Sequence, residues 1–266
     1  MIVLGFDTAT HATAVALALG DGRLLHARDD PAPDAHPGHA TRLLGMAAGL
    51  LREGEIQWEE LERIAVGLGP GRFTGLRVGI ATARGLAQGL SIELAGVSTL
   101  AALALHAAGA GGGQHERILA VVDARRGEVF AGAYEPAVEP GGPGQPVLAA
   151  VSEPSVSPPL APEQLADLLR DRSGDAGTEV RWLAVGDGAV LARSHLEAAG
   201  AQVPPDGSPL HAVDGRAICE LGARATPAAR LEQLLPDYRR VADARERTEG
   251  RLSQEPAVLA QGACAR

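Results

Sequence analysis

The order of strand-like and helix-like segments predicts an α/β chain folded in two lobes. Two observations carry this. Short apolar runs such as Ile2–Phe6, Leu61–Gly67 and Trp182–Val185 alternate with stretches whose apolar residues recur every three or four positions. An apolar strand ending in Asp also occurs twice, at Asp7 and at Asp123, and each is followed by a second strand. That internal repeat predicts two lobes of similar topology. The expected boundaries are 1–109 for the first lobe, with a helix over 211–226 packing back on it, and 110–210 for the second. A flexible tail is expected over 239–266.

The elements follow in chain order. Ile2–Phe6, Thr13–Leu19 and Arg23–Ala27 read as three strands of a meander, with Gly20-Asp21-Gly22 as a turn. Ala40, Leu43, Leu44, Ala47, Leu50 and Leu51 define an amphipathic helix over His39–Glu53, closed by Gly54. Leu61–Gly67 reads as a buried strand feeding a glycine-rich loop, and a helix is expected over Leu76–Gly89. Ile92–Gly96 is a further strand, after which Ser98-Thr99 caps a helix to about Ala108. Ile118–Asp123 and Glu128–Tyr134 form a hairpin. Glu135–Pro162, rich in Pro and Gly, is expected as a surface excursion. Glu163–Asp171 and Ala189–Ala199 read as helices around the strand Trp182–Val185, and Val213–Thr226 as the last helix.

Composition narrows the function classes. The chain has 266 residues, 45% of them hydrophobic but only 3% aromatic, so its core is built from Ala, Leu and Val. Its 34 glycines and 18 prolines are about a fifth of the chain, below the roughly 25–30% of low-complexity disorder. The formal net charge is −9, and no Lys/Arg block stands outside the last 30 residues. A direct nucleic-acid binder carries a basic face, because phosphate neutralisation supplies much of its affinity. Any RNA contact is therefore expected mainly through a partner. Cys219 and Cys264 form no C-x-x-C pair, so neither a zinc knuckle nor a redox motif is indicated. The N-terminus reads as a strand and not a signal peptide, and no apolar stretch approaches the roughly 20 residues of a membrane span, so a cytoplasmic location is expected.

Three segments are candidates for chemistry. The first is Gly67-Leu68-Gly69-Pro70-Gly71-Arg72-Phe73-Thr74-Gly75. Glycines before a helix can cradle phosphate on backbone N–H groups. Here no Lys follows as a Walker A loop requires, and Pro70 interrupts the dinucleotide fingerprint. A tight strand-to-helix turn with Thr74 as N-cap is the favoured reading. In the helix beyond, Gly75, Gly79, Ala83 and Ala87 form a small-residue stripe that admits close helix packing, on the first helix of the same chain or on a partner. The second candidate is Asp7-Thr8, with Gly186-Asp187-Gly188 from the second lobe. In actin-like ATPases and sugar kinases such an acid helps place a metal–phosphate group, and Asp7, Thr8, Gly186 and Gly188 are the candidate nucleotide contacts. Each is equally an ordinary turn residue. The third is His36-Pro37-Gly38-His39, whose spacing of three across Pro-Gly does not suit one helix face and reads as a loop, not a metal site. No G-x-S-x-G elbow occurs.

These pieces together resemble the TsaB family. The resemblance is carried by Ile2–Thr10, by Gly69-Pro70-Gly71-Arg72-Phe73-Thr74-Gly75-Leu76-Arg77-Val78-Gly79, and by Gly96–Leu100. Asp123–Val129, Val185–Ala189 and Leu235-Pro236-Asp237-Tyr238-Arg239-Arg240 complete it, all in order from Met1 to Arg240. It implies an actin-like ATPase (sugar kinase/actin/heat-shock cognate) fold with a reduced second lobe. It implies a non-catalytic scaffold, without a cofactor of its own, that binds TsaD and acts with TsaE. The complex uses ATP and Mg to transfer a threonylcarbamoyl group to the adenosine 3′ of the anticodon, and tRNA is met only indirectly. It further implies that TsaD binding, and homodimerisation of the chain alone, use the first helix and the helix after the glycine loop. The residues expected there are His39, Leu43, Ala47 and Leu50 with Gly75, Gly79, Ala83 and Ala87. The chain departs from the family at Arg72, where Ser is usual, and in Glu135–Pro162. It lacks the His-x-x-x-His metal motif of TsaD. The alternative reading is a nucleotide-binding ATPase-like enzyme leaning on Asp7 and Gly186–Gly188, or a peptidase.

Overall fold

The computed structural model describes residues 1–32, 34–110, 117–138, 146–152, 159–170 and 180–238. The expectation for the tail 239–266 lies outside the described residues.

Two sheets repeat one strand order. In the first, β1 (Val3–Asp7) pairs antiparallel with β2 (Thr13–Ala18), which pairs antiparallel with β3 (Leu24–Asp29). On its other edge β1 pairs parallel with β4 (Arg63–Gly67), and β4 with β5 (Glu93–Val97), giving the order β3-β2-β1-β4-β5. In the second sheet β6 (Arg117–Arg125) pairs antiparallel with β7 (Glu128–Val138), β7 antiparallel with β8 (Pro146–Ser152), and β6 parallel with β9 (Trp182–Val185). The order β8-β7-β6-β9 is the first pattern without its fifth strand. This is the two-lobed actin-like architecture with a reduced second lobe. Every residue of β1 and β4 is buried, as befits strands covered by helices on both faces.

The helices fill three layers. α1 (His39–Gly54) and α2 (Phe73–Leu90) cover one face of the first sheet, where Leu43, Leu50 and Ile80 meet Phe6, Ile64 and Leu94. α3 (Thr99–Gly109) is apolar all round because it lies between the lobes, packing Leu103 and Leu105 with Ile118 and Val122. α4 (Gln164–Arg170), α5 (Asp187–Leu191) and α6 (Arg193–Ala198) cover the far face of the second sheet.

α7 (Gly215–Arg224) closes the interlobe face of the first sheet at very short range. A methyl group on Gly5 would lie 2.7 Å from Cys219 Sγ and 2.9 Å from its backbone nitrogen, so only Gly at position 5 admits the helix. Burial pushes the Cys219 thiol up to about 12, which marks it as an inert packing residue. Arg63 of β4 holds the end of the helix. Its Nη1 donates to the carbonyls of Gly222 (2.8 Å), Ala223 (3.0 Å) and Ala225 (3.1 Å), while Nε donates to Glu93 (2.9 Å). One guanidinium thus satisfies the orphan carbonyls at the C-terminus of α7 and opposes the negative end of its dipole.

Three elements differ from the sequence reading. α2 begins at Phe73 with Arg72 as N-cap, not at Leu76 behind a Thr74 cap, because the Arg72 N–H is held by the Ala9 carbonyl (2.7 Å) and the chain is helical from the next residue. The helix expected over Ala189–Ala199 is two short helices broken at Ala192. The excursion expected from Glu135 contains sheet: β7 continues to Val138, and β8 pairs with it.

Replacing Arg63 with Leu leaves three helix-end carbonyls without a donor. The expected loss is about 2–4 kcal/mol, read as a fall of several degrees in the melting temperature. An unchanged melting curve would remove Arg63 from its role as the clamp on α7.

Candidate functional site

The end of β1 is the geometric centre of the first lobe. Asp7 is 1% exposed. Its Oδ1 accepts the Ala9 N–H (2.7 Å) and its Oδ2 accepts the Thr99 hydroxyl (2.6 Å). Burial pushes this carboxyl above the ordinary carboxylate range, against the lowering effect of those two donors. Gly67 lies directly against the carboxylate, where any side chain would collide with it. Thr8 is also sealed, its hydroxyl donating to the Gly75 carbonyl (2.8 Å).

The glycine run closes over this loop. A methyl on Gly71 would strike the Ala9 carbonyl, one on Gly75 the Thr8 carbonyl, and one on Gly79 the Thr8 hydroxyl. The glycines therefore serve close backbone approach between the β1–β2 loop and α2. In the second lobe, Gly186 and Gly188 pack against the backbone of Val121 and Val122, and Asp187 Oδ1 accepts the Asp123 N–H (2.9 Å). Burial raises the Asp187 carboxyl as well, and the neighbouring Asp123 adds to the rise.

Of the four candidate nucleotide contacts, the side chains of Asp7 and Thr8 are sealed, with the Asp7 oxygens facing protein donors and a glycine backbone, and the Cα faces of Gly186 and Gly188 pack on β6. Thr99 was not singled out by sequence, because a cap-adjacent Thr is expected to serve its own helix. Around the mouth of the loop stand His11, Arg72 and His39. Arg72 Nη1 donates to His11 Nδ1 (2.7 Å), and His11 Nε2 lies 3.0 Å from the Ala32 carbonyl. His39 Nδ1 meets the Thr13 hydroxyl at 2.8 Å, while its Nε2 is buried beside Gly75 without a hydrogen-bond partner among the described residues.

The expected partner face is corrected by its packing. His39, Leu43, Ala47 and Leu50 of α1 and Gly75, Gly79, Ala83 and Ala87 of α2 are all buried within the chain. They pack on the sheet and the β1–β2 loop, so none is available to a second protein. The outward faces of the same two helices carry a different small set. Gly45, Gly49, Gly85 and Gly89 have open space where a side chain would stand, and Leu44 is 49% exposed beside them. Sequence offered a partial signal, since Gly45 and Gly49 already stood out beside the leucines of α1.

Two outcomes follow from this packing. Gly75→Ala forces a methyl into the Thr8 carbonyl and is expected to destabilise the chain strongly, whereas Gly85→Ala meets nothing and gains about 0.5–1 kcal/mol of helix stability. Urea denaturation of the two variants checks the contrast, and equal or reversed effects would overturn the assignment of Gly75 to the inward face and Gly85 to the outward one. The second outcome concerns pH. Burial, then Arg72 and His11, hold the His39 imidazole below its ordinary value. The unfolded chain takes up that proton near pH 6.5, the folded chain only at lower pH. Stability is therefore complete above about pH 6.5 and lost as pH falls through the folded value. His39→Gln is expected to flatten this part of a melting-temperature–pH profile. The buried His106, lowered mainly by burial, leaves a residual slope in the variant. A profile indifferent to the substitution would show that His39 does not sense the proton.

Comparison with known proteins bears on this arrangement. A profile of the family described as "TsaD: tRNA N6-adenosine threonylcarbamoyltransferase" matches residues 33–141. The tRNA threonylcarbamoyladenosine biosynthesis protein TsaB of Escherichia coli is 39% identical over 135 residues, 51% of this chain and 55% of that protein. The chain thus matches about half the length of this curated relative. An uncharacterized protein of Mycobacterium tuberculosis is 33% identical over 172 residues, 62% of this chain and 74% of that protein. Among solved structures, YeaZ from Pseudomonas aeruginosa superposes with a TM-score of 0.65 at 30% identity, covering 89% of this chain and 100% of that one. The strand order, the glycine run and these likenesses agree: the chain belongs to the TsaB/YeaZ family.

Proposed function

We propose that this chain is a non-catalytic scaffold in tRNA threonylcarbamoyladenosine formation. In this reading it docks TsaD, together with TsaE, through the outward faces of α1 and α2. Alone, it pairs with a second copy through the same faces. The names of the E. coli relative and of the matching family profile supply the pathway. The observation that carries the scaffold role is the set of open glycines. Gly45, Gly49 and Gly85 stand inside helices, and each weakens its helix by about 0.5–1 kcal/mol relative to Ala. Nothing among the described residues requires them, since none of their atoms outside the helix's own backbone lies within 4 Å of the missing side chain. A partner helix laid across α1 and α2 does require them, because small residues allow backbones to approach closely.

The sealed Asp7 supports the non-catalytic half of the reading. An acid that helps place a metal–phosphate group must present oxygens to a cleft, and this one presents them to Ala9 and Thr99. No helix among the described residues is long and apolar enough to cross a membrane.

A charge on the outward face is the direct test. Gly45→Glu and Gly85→Glu are expected to remain folded and to lose co-elution with TsaD on size exclusion. Ala83→Glu is a poor probe, because Ala83 is fully buried and the variant is expected to unfold. Undiminished co-elution of the folded glycine variants would move the docking face elsewhere.

A further inference from the structure

We infer that an exposed aromatic–arginine stack at the start of α2 is a contact surface for single-stranded RNA. The inference rests on the reading of the chain as part of a tRNA-modifying assembly.

Two sequence signatures about 160 residues apart meet here. The segment from Leu231 to Tyr238 crosses α2 as a strap. Leu234 is buried against the helix layer, Arg84 Nη2 donates to the carbonyls of Glu232 (3.1 Å) and Leu234, and the Asp237 N–H donates to the Leu68 carbonyl (2.8 Å). These anchors deliver Tyr238 to the first turn of α2. Its ring lies 5.1 Å from the Phe73 ring, tilted by 32°, and its hydroxyl accepts from Arg77 Nε (3.0 Å). The Arg77 guanidinium stands 3.8 Å above the Phe73 ring.

Stability does not account for the stack. Phe73 is 51% exposed and Tyr238 47%, so their outer faces bury little apolar area within the chain. The rings are nevertheless fixed in place, and a ligand that stacks on them meets little ordering cost.

Charge selects the occupant. From Gly67 to Ile92 the sequence carries no acidic residue, and Arg77 and Arg84 stand on α2 against the strap. The first turn of α2 holds no acid to offset its positive helix end. The chain as a whole is at −9, so polyanions are repelled overall, and this stretch of α2 runs against that trend. Single-stranded RNA offers both complements, base faces for Phe73 and Tyr238 and phosphates for the arginines. The strap's own Glu232 and Asp237 keep the contact weak, which suits a surface that assists a partner's grip.

Fluorescence anisotropy with a labelled single-stranded oligoribonucleotide of about a dozen nucleotides, titrated with the full-length chain at low and moderate salt, tests the proposal. Tyr238→Ala and Phe73→Ala are expected to weaken binding about tenfold without moving the melting temperature. Arg77→Gln is expected to lower the salt slope by roughly one. Absence of binding, or binding unmoved by Tyr238→Ala, overturns the proposal. Equal competition by inorganic polyphosphate, which has no bases, overturns it too. If Tyr238→Ala instead abolishes co-elution with TsaD while RNA is not bound, the patch is a protein contact and the scaffold reading survives without this inference. If RNA binding follows these variants while the outward-glycine variants still co-elute with TsaD, the inference stands and the docking face fails.

Discussion

The first lobe depends on one close approach, that of α2 to the backbone of the β1–β2 loop. Three glycines, Gly71, Gly75 and Gly79, make it possible, each facing an atom of Thr8 or Ala9 that tolerates no side chain, while Gly67 at the end of β4 makes room for the Asp7 carboxylate. The approach is then bonded: the Arg72 N–H to the Ala9 carbonyl and the Thr8 hydroxyl to the Gly75 carbonyl. Other elements register on the same loop. Thr99 fixes the start of α3 through Asp7, and His39 fixes the start of α1 through Thr13. The positions of three helices are thus set by a few residues at the mouth of one strand.

That arrangement decides what the loop can do chemically. Removing a carboxylate from water costs several kcal/mol in a real protein, and Asp7 offsets this with two short hydrogen bonds inside the fold. A metal–phosphate group needs those oxygens, and here they are held by the Ala9 N–H and the Thr99 hydroxyl, with the Gly67 backbone against Oδ2. The glycine run that first suggests a phosphate cradle lies instead against Thr8 and Ala9. The second lobe repeats the logic more sparsely, with Gly186 and Gly188 pressed on β6 and Asp187 turned to the Asp123 N–H.

The fold was legible in the sequence wherever burial dictates side-chain type. β1, β4 and β9 are buried on both faces, so their apolar runs announce them, and the repeat of an apolar strand ending in Asp gave the two lobes. The segment after Tyr134 was read as an excursion because of the Pro and Gly between the two strands, although β8 itself carries the apolar run Val147–Val151. The start of α2 was misplaced by three residues, since a tertiary hydrogen bond from Ala9 fixes the turn and Thr74 makes no cap. The candidate site was legible in position but not in orientation. Gly and Ala carry no hydropathic signal of which way they face. The stripe Gly75, Gly79, Ala83 and Ala87 reads equally well as an outward seam or an inward one, and only the location of Thr8 decides.

The same residue type consequently does opposite work on the two sides of α2. Inward, glycine lets the helix sit on the chain's own loop; outward, Gly85 and Gly89, with Gly45 and Gly49 of α1, leave a shallow surface that none of the described residues fills. A surface without side chains supplies proximity but little apolar area. The binding energy at such a face must then come from the partner's larger side chains settling against exposed helical backbone, and from the few large groups this chain does present, Leu44 above all. On the docking proposed above, the helix stability given up at each open glycine is recovered in the complex. The weakness of the free helices and the shape of the face are, on that proposal, one property.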